Sequence, residues 1–247
     1  MTRMSDQILI QGFQYGIYIL EAVVCVLLFT RGGWRQLKGL FIYVTLLFGL
    51  DGLARPAVLN YFGRASVQFA YFYWLTDVAL ALGAFLLTCS FFRRACTREQ
   101  KLWHLIRLLL FFIFILVAAI SGLALTRHYT QLFTMFIVEF SQNLYFSCLV
   151  LNTLLYVMLQ QLAIDDDELG MLVCGMGVQF AGEAAGLALF HLTVGENFAR
   201  VLFGFLNPAC TLGMLLIWVY AITKMPQAAP VRLQAGKDAA LAEATAQ

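Results

Sequence analysis

Five carboxylates stand inside stretches that otherwise have the composition of membrane helices: Glu21, Asp51, Asp77, Glu139 and Glu183. A charged side chain at the centre of a bilayer costs roughly 2.5–3.5 kcal/mol on insertion scales, so each should face the interior of a helix bundle and find a proton or a counter-charge. Amides accompany them at helical spacing. Glu139 is followed by Gln142 and Asn143, Glu183 is preceded by Gln179, and Asn207 stands beside Pro208. Residues three, four and seven apart share one side of a helix, so these are polar faces rather than scattered polar residues. A stripe of Gln11, Gln14, Tyr18, Glu21 and Cys25 has the same spacing. Such a set of oxygen-bearing groups suits binding of a proton, a small cation or a small cationic solute. In "LLFGLDGLARP" (46–56), Arg55 follows Asp51 by four residues and can supply its counter-ion from the same helix, with room to reach the outer boundary. The other four carboxylates have no cation in their own spans.

Seven apolar runs must position these groups, at about 8–29, 39–61, 67–91, 103–125, 132–159, 169–192 and 199–222. Each approaches or exceeds the ~20 helical residues needed to cross a hydrocarbon core. The expected fold is therefore all-α: a polytopic bundle of seven transmembrane helices over residues 1–223, followed by a disordered cytoplasmic tail at 224–247. Residues counted from the outer helix ends put Glu21, Asp77, Glu139, Glu183 and Asn207 near mid-depth. Of the 16 Lys and Arg, eleven fall on one side of these spans (Arg31, Arg35, Lys38, Arg93, Arg94, Arg98, Lys101, Arg107, Lys224, Arg232 and Lys237). The remaining five are Arg3, Arg55, Arg64, Arg127 and Arg200. The basic side faces the cytoplasm, so the N-terminus is outside and the C-terminus inside. The acidic turn at 164–168 then lies inside, where its aspartates can cap the sixth helix. Spans one to three and five to seven carry polar groups at similar depths, a weak three-plus-one-plus-three pattern of the sort that internal repeats produce.

Composition supports the same class. The chain is 62% hydrophobic and only 12% charged, with mean hydropathy +0.81, against roughly 25% charged residues in soluble domains. A net charge of +2 argues against a nucleic-acid partner. The first apolar run is too long for a cleaved signal and lacks a small-residue cleavage site. The six cysteines form no C-x-x-C pair and read as packing residues. The three histidines, His104, His128 and His191, have no zinc-ligand spacing, and no G-x-S-x-G turn is present. Lys224 lies too near the inner end of the last span to hold retinal. An Asp51–Asp77 protease dyad lacks the sequence settings typical of intramembrane aspartyl proteases. Enzymatic activity is thus disfavoured, and no cofactor is implied.

The runs "RGGWRQLKGLFIY", "YFYWLTDVALALGAFLL" with "SFFRR", and "LLIWVYAI" resemble a family of small bacterial seven-span integral membrane proteins with no assigned activity. The resemblance implies the fold and a multi-pass location in the bacterial inner (plasma) membrane, and no chemistry. Two roles remain open beside the disfavoured enzyme. In one, the midplane carboxylates bind a proton, cation or cationic solute for transport or permeation. In the other, the protein is a transmembrane sensor or assembly subunit whose basic inner loops meet anionic lipid, a protein partner or a second copy.

Overall fold

In the computed structural model, residues 2–33, 37–63, 66–97, 100–125, 132–161, 166–192 and 197–224 are described. Among them all regular structure is helical. The helices are α1 (Thr2–Thr30), α2 (Lys38–Phe62), α3 (Val67–Ala95), α4 (Gln100–Leu125), α5 (Leu132–Gln161), α6 (Asp167–Leu192) and α7 (Asn197–Lys224). Six of them, all except α6, are long and apolar enough over their described residues to cross a membrane. The chain therefore has the architecture of a multi-pass membrane protein. The 26 residues of α6 are long enough, but its sequence includes Asp167, Glu168, Glu183 and several glycines. Most helices run beyond the expected spans, and α1 begins at Thr2 rather than near residue 8. Of the expected tail, Lys224 belongs to α7 and the remainder lies outside the described residues.

Each helix packs on its successor, α7 closes on α1, and α3 also packs on α5. That crossing leaves α4 outside the ring, against α5 and α3. At one end, here the lower, the Arg31 guanidinium at the foot of α1 donates to the Ile222 and Thr223 carbonyls at the foot of α7. Arg94, at the foot of α3, forks onto Asp166 at 3.0 Å and Glu168 at 3.2 Å. Asp166 also accepts the Leu169 N–H at 3.1 Å, which is the cap expected for the sixth helix.

Glycines set the closest helix approach. A Cβ on Gly175 would stand 2.8 Å from Trp218 Nε1, and one on Gly182 would stand 2.6 Å from Cys210 Cβ and Sγ. Both positions on α6 therefore receive an α7 side chain where any larger residue would collide. Trp218 is fully buried, donates to the Leu172 carbonyl at 3.1 Å and meets Tyr43 of α2 edge to face.

Burial is uneven along the bundle. The lower half is filled by Val24, Leu28, Phe91, Phe92, Leu155 and Leu172 and their neighbours, all buried. Toward the upper end, no residue of α2 beyond Leu47 is buried, α3 has none before Thr76, and the described part of α7 has none before Met214. Among the described residues, the upper parts of α2, α3 and α7 thus leave more side chain uncovered than their lower parts, whereas Ile137, Phe140 and Ser141 of α5 and Ser121 of α4 are buried there.

Candidate functional site

The site begins with a defect in α2. Its ordinary helical turns at Lys38–Leu47 and Arg55–Phe62 are separated by a π-helical stretch, Phe48–Ala54, in which the Arg55 N–H bonds Leu50 O, five residues back. The sequence supplies the cause. Pro56 has no N–H, and its ring would collide with the carbonyl of Gly52 in a regular α-helix, while Gly49 and Gly52 weaken the helical preference locally. A wider turn relieves the collision, and π-bulges of this kind recur at functional sites. Asp51 and Gly52 lie in that wide turn.

Asp51 and Arg55 pair at 2.7 Å, as their four-residue spacing suggests. Arg55 does not run out to the boundary, however. Its Nε donates to Thr76 Oγ1 at 2.9 Å, its guanidinium lies over the Tyr73 ring at 4.3 Å, and its Nη2 is 3.7 Å from Asp77. Asp77 therefore has a counter-ion after all, supplied by the neighbouring helix. Sequence periodicity could not show this, because it orders residues within one helix only. One arginine thus serves two carboxylates, with Tyr73 beneath it. That Arg55, seated on Tyr73 and Thr76, would reach Asp77 was not expected from the sequence.

Two further carboxylates complete the cluster. Glu21 of α1 is fully buried, and neither carboxyl oxygen has a hydrogen-bond partner. Its Oε2 points at the π-helical turn, 3.4 Å from where a Cβ on Gly52 would sit. Asp51 is within electrostatic reach of Glu21. On the opposite wall, Gln179 Nε2 donates to Glu183 Oε1 at 3.3 Å, one turn away on α6. Asn207 of α7 is a second hydrogen-bonding neighbour of Glu183, and Asp77 lies within its electrostatic reach. Tyr145 of α5 lies within electrostatic reach of Asp77 and Glu183. The glycine seam of α6 brings α7 close enough for Asn207 to join.

Of the nine residues singled out in the sequence, the structure thus gathers Glu21, Asp51, Asp77, Gln179, Glu183 and Asn207, and links neither Glu139 nor Asn143 to them; Gln142 is half-buried on α5. Glu139 shares the α5 face of exposed Phe146, Val150 and Val157, turned away from the buried Phe140, Leu144 and Cys148. It is not at mid-depth either. The 30 residues of α5 span about 45 Å at ~1.5 Å per residue, well over a ~30 Å hydrocarbon core. Glu139, seven residues from the start, therefore lies close to the boundary of a centred helix. Asn143 donates to Ser121 of α4 at 3.2 Å, so it fastens the outlying helix. In the α1 stripe, Gln14 donates to Tyr18 at 3.0 Å, while the Gln11 side chain is outside the described set.

The chemistry of the cluster is one-sided. Its orphan buried atoms are all acceptors: Glu21 Oε1 and Oε2, Gln179 Oε1 and Asn207 Oδ1. Among the described residues, Asp51 and Asp77 share one guanidinium while Glu21 and Glu183 are in no ion pair, and buried acceptors without donors are costly unless a proton or cation satisfies them. The cluster lies above the densely packed lower half, and Asp51 and Asp77 retain 31% and 25% side-chain exposure. Compared with known proteins, the chain matches no family model, no curated protein and no solved structure.

Proposed function

We propose that this is a seven-span protein of the bacterial inner membrane that takes up a proton, a cation or a small cationic solute from the outer side and carries it inward. The upper end of the bundle faces out and the basic lower end faces the cytoplasm, in keeping with the distribution of Lys and Arg. One observation carries the reading. An acceptor-rich cluster of four carboxylates, two of them paired with one arginine, stands above a densely packed lower half.

The residues divide the work. Asp77, Glu183, Gln179 and Asn207 form the wall that meets the solute: two carboxylates supply charge, and the free amide oxygens accept its N–H groups or ligate it directly. Arg55 holds Asp51 and keeps Asp77 positioned until an incoming cation competes for it. Delivery inward requires the packed lower half, with Tyr43 and Trp218 in contact across it, to open. Alternating exposure of a fixed midplane site is the general means by which helix bundles transport.

The test is flux in proteoliposomes, reading proton movement and uptake of a panel of organic and inorganic cations. Wild-type protein should move at least one of them, and Asp77→Asn and Glu183→Gln should abolish that flux while preserving folding. Flux that survives both substitutions excludes this wall as the site. The alternative role as a sensor or assembly subunit draws less support, because Arg31 and Arg94 of the basic end are already engaged within the bundle.

A further inference from the structure

We infer that Glu21 and the π-helical turn of α2 form a second site, distinct from the Asp77–Glu183 wall, that holds a bare monovalent metal cation of the sodium class. The inference rests on the proposed function only in taking the cluster as cation-binding, and it assigns this pocket its own ligand.

Three observations converge. First, Glu21 is buried completely, with both carboxyl oxygens unpartnered. A proton alone would not settle this, because it covers one oxygen and leaves the other, a carbonyl acceptor, without a donor. A cation bound by the carboxylate accounts for both oxygens at once. Second, the facing backbone is prepared for an ion. In the five-residue register that links Arg55 N–H to Leu50 O, the next donor would come from residue 56, which is proline, so the Asp51 carbonyl loses its main-chain partner. Broken or widened helices that free carbonyls are a common way for membrane bundles to ligate sodium. Gly52 has no side chain, so Glu21 Oε2 comes to 3.4 Å and the Phe48 ring to 3.1 Å of where its Cβ would sit. Third, the charge count selects the valence. Arg55 already neutralises Asp51, so Glu21 brings one uncompensated negative charge to this pocket. An all-oxygen donor set favours a hard ion over a transition metal.

The site differs from the solute wall in place and in chemistry. Asp51 is the carboxylate that acts on Glu21, whereas Glu183 is acted on by Asp77 more than by Asp51 and is hydrogen-bonded by Asn207 and Gln179. A cation lodged beside Asp51 would also steady the α1–α2 contact.

The full chain in nanodiscs tests this by thermal unfolding in NaCl, LiCl, KCl and choline chloride at equal ionic strength, at pH 6 and pH 8. The apparent melting temperature should climb with NaCl concentration and not with choline chloride. Glu21→Gln and Gly52→Ala, the latter placing a methyl group in the cradle, should each remove the sodium-specific climb, while Glu183→Gln should keep it. Binding of radioactive sodium by scintillation proximity gives a second readout that is independent of variant stability. The site is overturned if no metal cation acts beyond choline, if only pH acts, or if sodium binding persists in Glu21→Gln. Loss of the sodium effect with flux intact would remove this site and leave the proposed function standing. Retention of the sodium effect with flux absent would do the opposite.

Discussion

Removing the Arg55 charge is the most informative perturbation, because the cluster is organised around that one cation. Arg55→Met keeps much of the aliphatic stem and leaves Asp51 and Asp77 facing each other. The Arg55 side chain is 13% exposed, its partners 31% and 25%. Breaking a fully buried ion pair costs about 3–5 kcal/mol, and an exposed pair about 0–1 kcal/mol. Partial exposure places this loss near ~2–3 kcal/mol, and the lost stack on Tyr73 adds about 0.5–1 kcal/mol. The expected destabilisation is thus about 2.5–4 kcal/mol. Double-mutant cycles with Asp51→Asn and Asp77→Asn then divide it. The 2.7 Å contact to Asp51 is a charge-assisted hydrogen bond and should couple by about 1.5–3 kcal/mol. The 3.7 Å contact to Asp77 is beyond hydrogen-bonding distance and should couple by less than about 1 kcal/mol. Reversible unfolding in mixed micelles, titrated with sodium dodecyl sulfate, measures all four corners of each cycle. Coupling to Asp77 equal to that with Asp51, or a cost of Arg55→Met under about 1 kcal/mol, would refute the reasoning.

The same assay distinguishes other positions. Glu139→Gln should change stability by less than about 0.5 kcal/mol and leave flux untouched, since half-buried Glu139 shares the α5 face of exposed Phe146, Val150 and Val157; lost flux would return it to the site. Gly182→Ala should destabilise by about 1–3 kcal/mol through collision with Cys210, and Cys210→Gly in the same chain should recover most of that, as unfolding of the double variant will show. Arg94→Ala should cost about 1–2 kcal/mol by loss of Asp166 and Glu168 at the lower end. Raising the salt concentration should shrink this cost, and a salt-independent loss would assign it to packing.

Residue order alone was enough to place the helices, because a bilayer admits few solutions for long apolar runs: backbone polar groups must be satisfied within each segment. The Asp51–Arg55 pair and the Asp166 cap were legible for a related reason, since both act within a single helix or at its end, where spacing dictates distance. The π-turn left a trace in Gly49, Gly52 and Pro56, and proline chemistry applied to α2 would have found it. Periodicity misled at Glu139. A polar stripe marks a face without saying what that face meets, and the polar face of α5 carries Asn143 to α4 and Glu139 outward.

The sequence by itself determined that this is a helical membrane protein with more buried acid than packing requires, because hydropathy and charge are properties of each segment taken alone. Tertiary structure decided which acids meet. It brought Arg55 to Asp77 across two helices, laid Glu21 against Gly52, and let α7 deliver Asn207 through the glycine seam of α6. Those contacts depend on the rotation and order of neighbouring helices, which are set by side-chain packing between segments and have no local signature.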